Sequence, residues 1–241
     1  MDYYQQDLAL VHDRGYGHHG DRCAPGILAL LPPDALVLEL GCGAGALTRH
    51  LLAAGHQVIA TDASEAMLER ARAALGGAAP GGVADLRRLT LPDDPLPAAD
   101  AIVSVGHAIS YLADAAAVGR ALAAMAGALR PGGVLAFDVC DLEFGRIRAG
   151  EPNFARVGPD WAVITEFSAP APDRFVRDIT TFVPDGAGAW RRSREHHENV
   201  LVDTSLIPDL LAAHGVTATV GTSFGAAELP PGLHAVTGVR S

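Results

Sequence analysis

The segment Glu39-Leu40-Gly41-Cys42-Gly43-Ala44-Gly45 follows an apolar run, Ala35–Leu40, and opens a helical pattern, Ala46–Ala54. A glycine-rich loop at a strand-to-helix junction lets the backbone approach a ligand where a Cβ would collide. The amides at the helix start then face that ligand. The loop also begins a regular alternation. Gln57–Thr61 reads as a second strand and Ser64–Leu75 as a helix, with Ser64 as N-cap and Met67, Leu68 and Leu75 on its apolar face. Val83–Leu86 reads as a weaker third strand and Ala101–Val105 as a fourth. The Ala-rich helix Ala115–Leu129 is stopped by Arg130-Pro131-Gly132-Gly133, and Val134–Val139 is a fifth strand. Such alternation implies an α/β fold, a parallel sheet with helices on both faces. Ligands of such sheets bind beyond the carboxyl ends of the strands.

The pattern changes after residue 140. Between 141 and 200, 18 of 60 residues are charged and eight are arginines. Trp161–Ser168, Phe175–Val183 and Trp190–Val200 read as antiparallel strands, with Asp173 and Pro184-Asp185-Gly186 in the turns. A helix over Thr204–His214, capped by Asp203 or Thr204, and a closing pair of strands, Val216–Phe224 and Leu233–Val239, complete the chain. The whole is expected to be one domain: 1–34 an N-terminal lid and helix, 35–140 a ligand-binding core, 141–200 an inserted antiparallel β roof, and 201–241 the closing elements.

Composition narrows the function. The 241 residues carry 18 basic and 28 acidic side chains, a formal charge of −10. That argues against a nucleic-acid binder, which needs concentrated positive charge. Every basic residue is arginine, which excludes a Walker P-loop and any Schiff-base lysine. No apolar stretch is long enough for a membrane helix. The start, Met1-Asp2-Tyr3-Tyr4-Gln5-Gln6-Asp7, lacks the features of a signal peptide. Three widely spaced cysteines (Cys23, Cys42, Cys140) suggest neither a disulfide framework nor structural zinc, and a reducing cytoplasm fits.

Asp62 ends the second strand, 21 residues after Gly41. A carboxylate there suits the two hydroxyls of an adenosine ribose. A dinucleotide fold satisfies this too, since Gly41-x-Gly43-x-x-Ala46 fits the loose dinucleotide fingerprint. Three further features shift the balance. Glu39 stands two residues before Gly41, poorly placed for a pyrophosphate but well placed for an ammonium group. Asp85 reads as ending the third strand, where it can accept from an adenine amino group. Leu129-Arg130-Pro131-Gly132-Gly133-Val134-Leu135 turns from helix into strand.

In combination, order and spacing, VLELGCGAG, VIATDAS with Met67, ADL and LRPGGVLAFDV resemble the class I S-adenosylmethionine-dependent methyltransferases. The resemblance covers about residues 20–140 and the closing elements after 203. It implies a Rossmann-like seven-stranded sheet, parallel except for one strand near the C-terminus. It also implies S-adenosylmethionine as cofactor and S-adenosylhomocysteine as product. Glu39 and Gly41 would flank the methionine end, with Cys42 as a small spacer and Gly43 packed against the cofactor. Asp62 beside Ala63 would hold the ribose, Met67 would cover the adenine, and Asp85 with Leu86 would read its edge. The backbone near Ser104 would meet the methionine ammonium.

For the acceptor side, His107 is the candidate general base, because Val103-Ser104-Val105-Gly106-His107-Ala108-Ile109-Ser110-Tyr111-Leu112 follows the fourth strand. This segment looks like that of sugar amine N-methyltransferases and the glycine N-methyltransferase group, which often carry Gly-His here. His107 and Tyr111 are thus acceptor contacts. Arg14-Gly15-Tyr16-Gly17-His18-His19-Gly20, before an apolar helix Ala24–Leu31, reads as a lid loop in which Tyr16, His18 and His19 touch the ligands. Alternation in Arg191–Asn199 puts Arg192, Arg194, His196 and Glu198 on one face and Arg191, Ser193, Glu195, His197 and Asn199 on the other. Arginines there can bind an anionic acceptor, and Arg194 and His196 are the candidate contacts, against a reading of the strand as solvated Arg–Glu pairs. Asp138 and Asp141 flank the fifth strand without a clear third ligand, so no metal is expected.

The expectation is methyl transfer to an N or O atom of a small molecule, a specialised metabolite, by in-line displacement. A homodimer through the roof is compatible with it, and no nucleic-acid or membrane partner is expected. The alternatives are a catalytically silent S-adenosylmethionine-binding partner subunit and an NAD-dependent oxidoreductase.

Overall fold

The computed structural model describes residues 3–76 and 84–241. The first helices are α1 (Gln6–Tyr16) and α2 (His18–Leu28). The core then runs β1 (Leu36–Leu40), α3 (Ala46–Ala53), β2 (Gln57–Asp62), α4 (Glu65–Leu75), β3 (Asp85–Arg88) and β4 (Ala99–Ser104). A 3₁₀ turn (Ala108–Tyr111), α5 (Ala115–Ala128) and β5 (Leu129–Cys140) follow. After α6 (Leu142–Ala149) come β6 (Phe154–Val157), β7 (Ala162–Ala171), β8 (Arg174–Pro184) and β9 (Trp190–Val200). A second 3₁₀ turn (Thr204–Leu206), α7 (Ile207–Ala212), β10 (Val216–Gly221), the short pair β11 (Ser223–Phe224) and β12 (Ala227–Glu228), and β13 (Leu233–Arg240) close the chain.

The main sheet has seven strands in the order β10-β13-β5-β4-β1-β2-β3. β1 through β5 pair in parallel, and β13 runs antiparallel to both β5 and β10. The order reverses at β1, where β4 lies on one side and β2 on the other. Helices cover both faces, so successive residues Val37 and Leu38 are both fully buried. Val37, Val58 and Val103 face Ile27, Leu47, Leu51 and Leu68. Leu38, Ile102 and Phe137 face Val118, Leu122, Met125 and Leu211. Asp114 caps α5 by accepting from the Ala117 N–H at 2.7 Å. Arg240 of β13 donates to the Ala126 and Gly127 carbonyls at 2.9 Å, satisfying the open end of α5.

The inserted roof is a four-stranded sheet, β6-β7-β8-β9, antiparallel throughout. Its first strand and the preceding helix α6 were not legible as separate elements in the sequence. Its inner face packs on α1, where Leu8 and Val11 meet Trp161, Val163, Ile179 and Val183.

Two expectations are corrected here. Residues 14–20 are not a lid loop: α1 and α2 run almost end to end, joined at Gly17 in helical backbone. The glycines there permit close packing, not looseness. A Cβ on Gly15 would lie 2.9 Å from the Trp161 ring, and one on Gly20 would lie 3.1 Å from Ala46. The third strand begins at Asp85 and runs to Arg88; Val83 lies outside the described residues. Asp85 is level with Ile59, and Arg88 is level with Asp62. Asp85 therefore opens β3 rather than ending it, with Leu86 one step above. The Asp85 side chain is half-exposed and paired with Arg87.

Candidate active site

The glycine loop sits at the switch point, beyond the carboxyl end of β1. Gly41, Gly43 and Gly45 all have positive φ, at +73°, +56° and +85°. A Cβ on Gly41 would come 2.6 Å from the Ala108 methyl, whereas at Gly43 nothing lies within 4 Å of where a Cβ would stand. Gly43 thus leaves open space above its backbone. The Cys42 N–H donates to the Thr61 carbonyl at 2.8 Å and tacks the loop to β2. Cys42 itself is buried, and burial first, with Glu39 and Asp62 nearby, pushes its thiol well up. A buried thiol held protonated suits a small spacer better than a nucleophile.

Two carboxylates flank this space. Glu39 is buried, accepts from the Thr48 hydroxyl at 2.6 Å, and is pushed up to about 8 by burial against that bond, with Asp62 adding to the rise. A buried carboxyl with no cationic partner among the described residues is a place for an incoming cation. Asp62 ends β2 and accepts from the Gly43 N–H at 2.9 Å and the Ser64 N–H at 2.8 Å. Burial raises its pKa while those amides oppose the rise. Ala63 follows it and its carbonyl accepts from Arg88 Nε at 3.1 Å. Met67, in the first turn of α4, is buried at 2% exposure. Ser104 ends β4, fully buried, and its Oγ has no partner.

Beyond β4 the chain turns through Gly106 and His107, both in left-handed backbone (φ +90° and +52°). Asp138 holds this turn. Its buried carboxylate accepts from the Gly106 N–H at 3.0 Å and the His107 N–H at 2.5 Å, and from His19 Nε2 at 2.9 Å. Such a conformation in a non-glycine residue is uncommon and persists where surroundings fix it. Asp138 is therefore an anchor for His107, and His19 reaches the site through Asp138. Burial works against the charge on His19, but the Asp138 bond and the Cys23 thiol outweigh it and push its pKa up to about 10. Asp141 caps α6 and accepts from the Thr204 hydroxyl at 2.7 Å. Among the described residues no group of three or more potential metal ligands gathers.

The roof and N-terminal segment close over His107. The His107 ring stacks at 5.8 Å on Tyr111, and its Nδ1 is buried without a partner. Burial first, then the positive charge of Arg177, lowers its pKa to about 3. The Tyr111 hydroxyl contacts the Tyr4 hydroxyl at 3.0 Å, His197 Nδ1 at 3.1 Å and the Arg177 guanidinium. His197 Nε2 in turn meets Glu195 at 2.9 Å. Glu195 also accepts from the Tyr4 and Gln5 N–H groups, at 2.7 and 3.0 Å, tying the N-terminal segment to the roof. An ionised Glu195 is an acceptor only, so the proton on His197 sits on Nε2 and Nδ1 accepts from Tyr111.

Of the acceptor candidates read from sequence, the structure brings together His107, Tyr111 and, through Asp138, His19. Tyr16 lies at the edge, stacked at 5.9 Å on His12 and under the Arg156 guanidinium. His18 does not join them: it is exposed on the first turn of α2. Arg194 and His196 are also corrected. They lie on the roof's outer face, exposed, where His196 pairs with Asp178. The inner face carries the other set, with His197 and Asn199 fully buried. Arg177 and His12 were missed. The signal for Arg177 was present: in Phe175-x-Arg177-x-Ile179-x-Thr181-x-Val183 an arginine occupies the apolar phase of an alternating strand. His12 adjoins Val11 on the packed face of α1, and burial followed by the Arg177 charge lowers its pKa to about 4.

A family model described as a methyltransferase domain matches residues 37–133, from β1 to the start of β5. Those residues form a methyltransferase domain, and the fold of the whole chain is that of the class I S-adenosylmethionine-dependent methyltransferases. YqeM of Bacillus subtilis, assigned as a methyltransferase, is 28% identical over 198 residues, 80% of this chain and 78% of that protein. An S-adenosylmethionine-dependent methyltransferase from Clostridium acetobutylicum superposes with a TM-score of 0.80 at 20% identity, over 97% of this chain and 98% of the other. The sugar N-methyltransferase KedS8 from Streptoalloteichus gives 0.77 at 22%, over 100% and 95%. The amino pentose methyltransferase CalS10 from Micromonospora echinaspora, solved with S-adenosylmethionine bound, gives 0.71 at 22%, over 99% and 98%. These likenesses carry the fold across the whole length, roof included. The site fits the methyltransferase cofactor: open space above Gly43, an uncompensated carboxyl at Glu39 for an ammonium, a carboxylate at Asp62 for a diol, and the unpartnered Ser104 hydroxyl.

Proposed function

We propose that this methyltransferase acts on an N or O atom of a small molecule held between His107 and the inner face of the roof. One observation carries the reading. Four buried side-chain nitrogens without partners belong to the elements that close on this space: His107 Nδ1, His12 Nδ1, Arg177 Nε and Asn199 Nδ2. Buried polar atoms are normally satisfied, so these four fit a polar ligand of modest size. The sugar N-methyltransferase and amino pentose methyltransferase among the similar structures favour an amine acceptor of specialised metabolism.

S-adenosylmethionine supplies an electrophilic methyl group on a sulfonium. Glu39 holds the ammonium end, Asp62 the ribose, and Gly41 and Gly43 let the backbone lie close. Met67 packs near the adenine, as proposed from the sequence. His107, fixed in its turn by Asp138, orients the attacking atom. A group held near 3 is a poor proton acceptor at neutral pH, so His107 works first by hydrogen bonding and positioning. Orientation alone can supply much of such a rate.

The test is transfer of isotopically labelled methyl to a panel of amines and alcohols. A methylated product is expected from the wild type. His107→Ala is expected to lower kcat by about 10²-fold, within the range that such positioned groups contribute, with S-adenosylhomocysteine affinity retained. Near-normal turnover by His107→Ala across pH would contradict the role. Cofactor binding with no product from any acceptor would instead support a silent partner subunit.

A further inference from the structure

Arg177 is half-buried, faces inward from β8, and makes no ion pair among the described residues. Its guanidinium lies 5.6 Å from the Tyr111 ring centre and donates to neutral groups, the Tyr111 hydroxyl and, at 3.4 Å, Asn199 Oδ1. Its Nε is buried with nothing to donate to, and so is the Asn199 amide nitrogen. By contrast, Arg174 on the same strand pairs with Glu198, and Arg191 on the inward set of β9 pairs with Asp7. The one carboxylate on the inner face near Arg177, Glu195, is committed to His197, Tyr4 and Gln5. A charge drawn partly out of water without a counter-charge is costly, and more so where its Nε is fully buried. A buried guanidinium suits an oxyanion because its planar donors match carboxylate or phosphate.

From this geometry we infer that Arg177 and Asn199 form an oxyanion subsite, and that the acceptor carries a carboxylate or phosphate beside its methylated atom. This rests on the methyltransferase reading above and deepens it. Tyr111 is a positioning residue: it donates to His197, whose tautomer Glu195 fixes, and so its oxygen lone pairs point to Arg177 and Tyr4. An anion on Arg177 also offsets one of the three influences that depress His107, the others being burial and the charge of His19. Acceptor binding thereby restores part of the basicity of the neighbouring histidine. The role expected for arginine on β9 thus falls to β8.

The test is calorimetric titration of protein saturated with S-adenosylhomocysteine, using sodium acetate in one arm and sodium phosphate in the other, against chloride at equal ionic strength. At least one anion is expected to bind the wild type, and its affinity to fall at least tenfold in Arg177→Met. S-adenosylhomocysteine affinity is expected to stay within threefold. The arm that responds distinguishes a carboxylate from a phosphate acceptor. Asn199→Leu provides a second variant should Arg177→Met fail to fold, and is expected to weaken the same anion several-fold. Equal anion binding in wild type and variants, or none, would overturn the subsite. Loss of S-adenosylhomocysteine affinity in Arg177→Met would also overturn it, since the arginine would then be holding the cofactor's own carboxylate. Failure of the wild type to bind S-adenosylhomocysteine at all would instead overturn the methyltransferase reading, and the subsite with it.

Discussion

Glu39 is a buried carboxyl that is unfavourable to the free protein and, on the proposed function, holds the ligand's ammonium group. Its folded pKa, about 8, lies above the ordinary glutamate value of 4.5. The stability it contributes is complete below 4.5 and is lost as pH rises through 8, because the native state must then carry a buried charge. Glu39→Gln removes that loss. The variant is expected to gain about 1–3 kcal/mol over the wild type at pH 9 and much less at pH 6, read from denaturant midpoints. It should also bind S-adenosylhomocysteine more weakly, having lost the partner of the ammonium. An equal gain at both pH values would contradict the assignment. His107 is the opposite case, a neutral group in a strained turn whose position depends on three hydrogen bonds to Asp138.

Among the elements, β1, β2, β4 and β5 were legible because most of their residues are buried and each is bounded by a cap or a glycine, whereas β3 is mostly exposed. Ser64 accepts from the Met67 N–H as its place before α4 suggested. The roof was half legible. Alternation in β9 divided its residues correctly into two faces, but nothing within one strand says which face is inward. The decision came from partners distant in sequence: Asp7 on Arg191 and Ser193, and Tyr4 and Gln5 on Glu195. For the same reason α1 escaped the reading, since its apolar face, Leu8 and Val11, makes sense only against Trp161 and Ile179 of the roof. Gly15 and Gly20, which the sequence places in a lid loop, are contact points within packed helices. Asp85 was placed one strand length too far along because the start of β3 adjoins residues with no periodic pattern. The interlock of α1 with the roof has a consequence. Gly15→Leu must displace the Trp161 ring, and is expected to cost about 1–3 kcal/mol. It should also speed proteolysis of the N-terminal segment ahead of the main sheet. Unchanged proteolysis would show that α1 does not depend on this contact.

For the molecule as a whole, two sheets divide the labour. The seven-stranded sheet gathers the glycine loop, Glu39, Asp62 and the His107 turn at the carboxyl ends of its strands, where a parallel arrangement places ligand sites. The four-stranded roof and α1 cover that edge with groups that are polar, buried and unpartnered. On the proposed function, the first sheet sets the cofactor and the second the acceptor. This division explains why the core motifs identify the chemistry, whereas the substrate must be read from Arg177, Asn199 and His107. The most direct test is calorimetric titration of the purified protein with S-adenosylhomocysteine beside Asp62→Ala, with melting temperatures to show that both are folded. The account predicts saturable micromolar binding of one ligand per chain in the wild type and at least a tenfold loss in the variant. No binding by the wild type, or binding undiminished in Asp62→Ala, would contradict it.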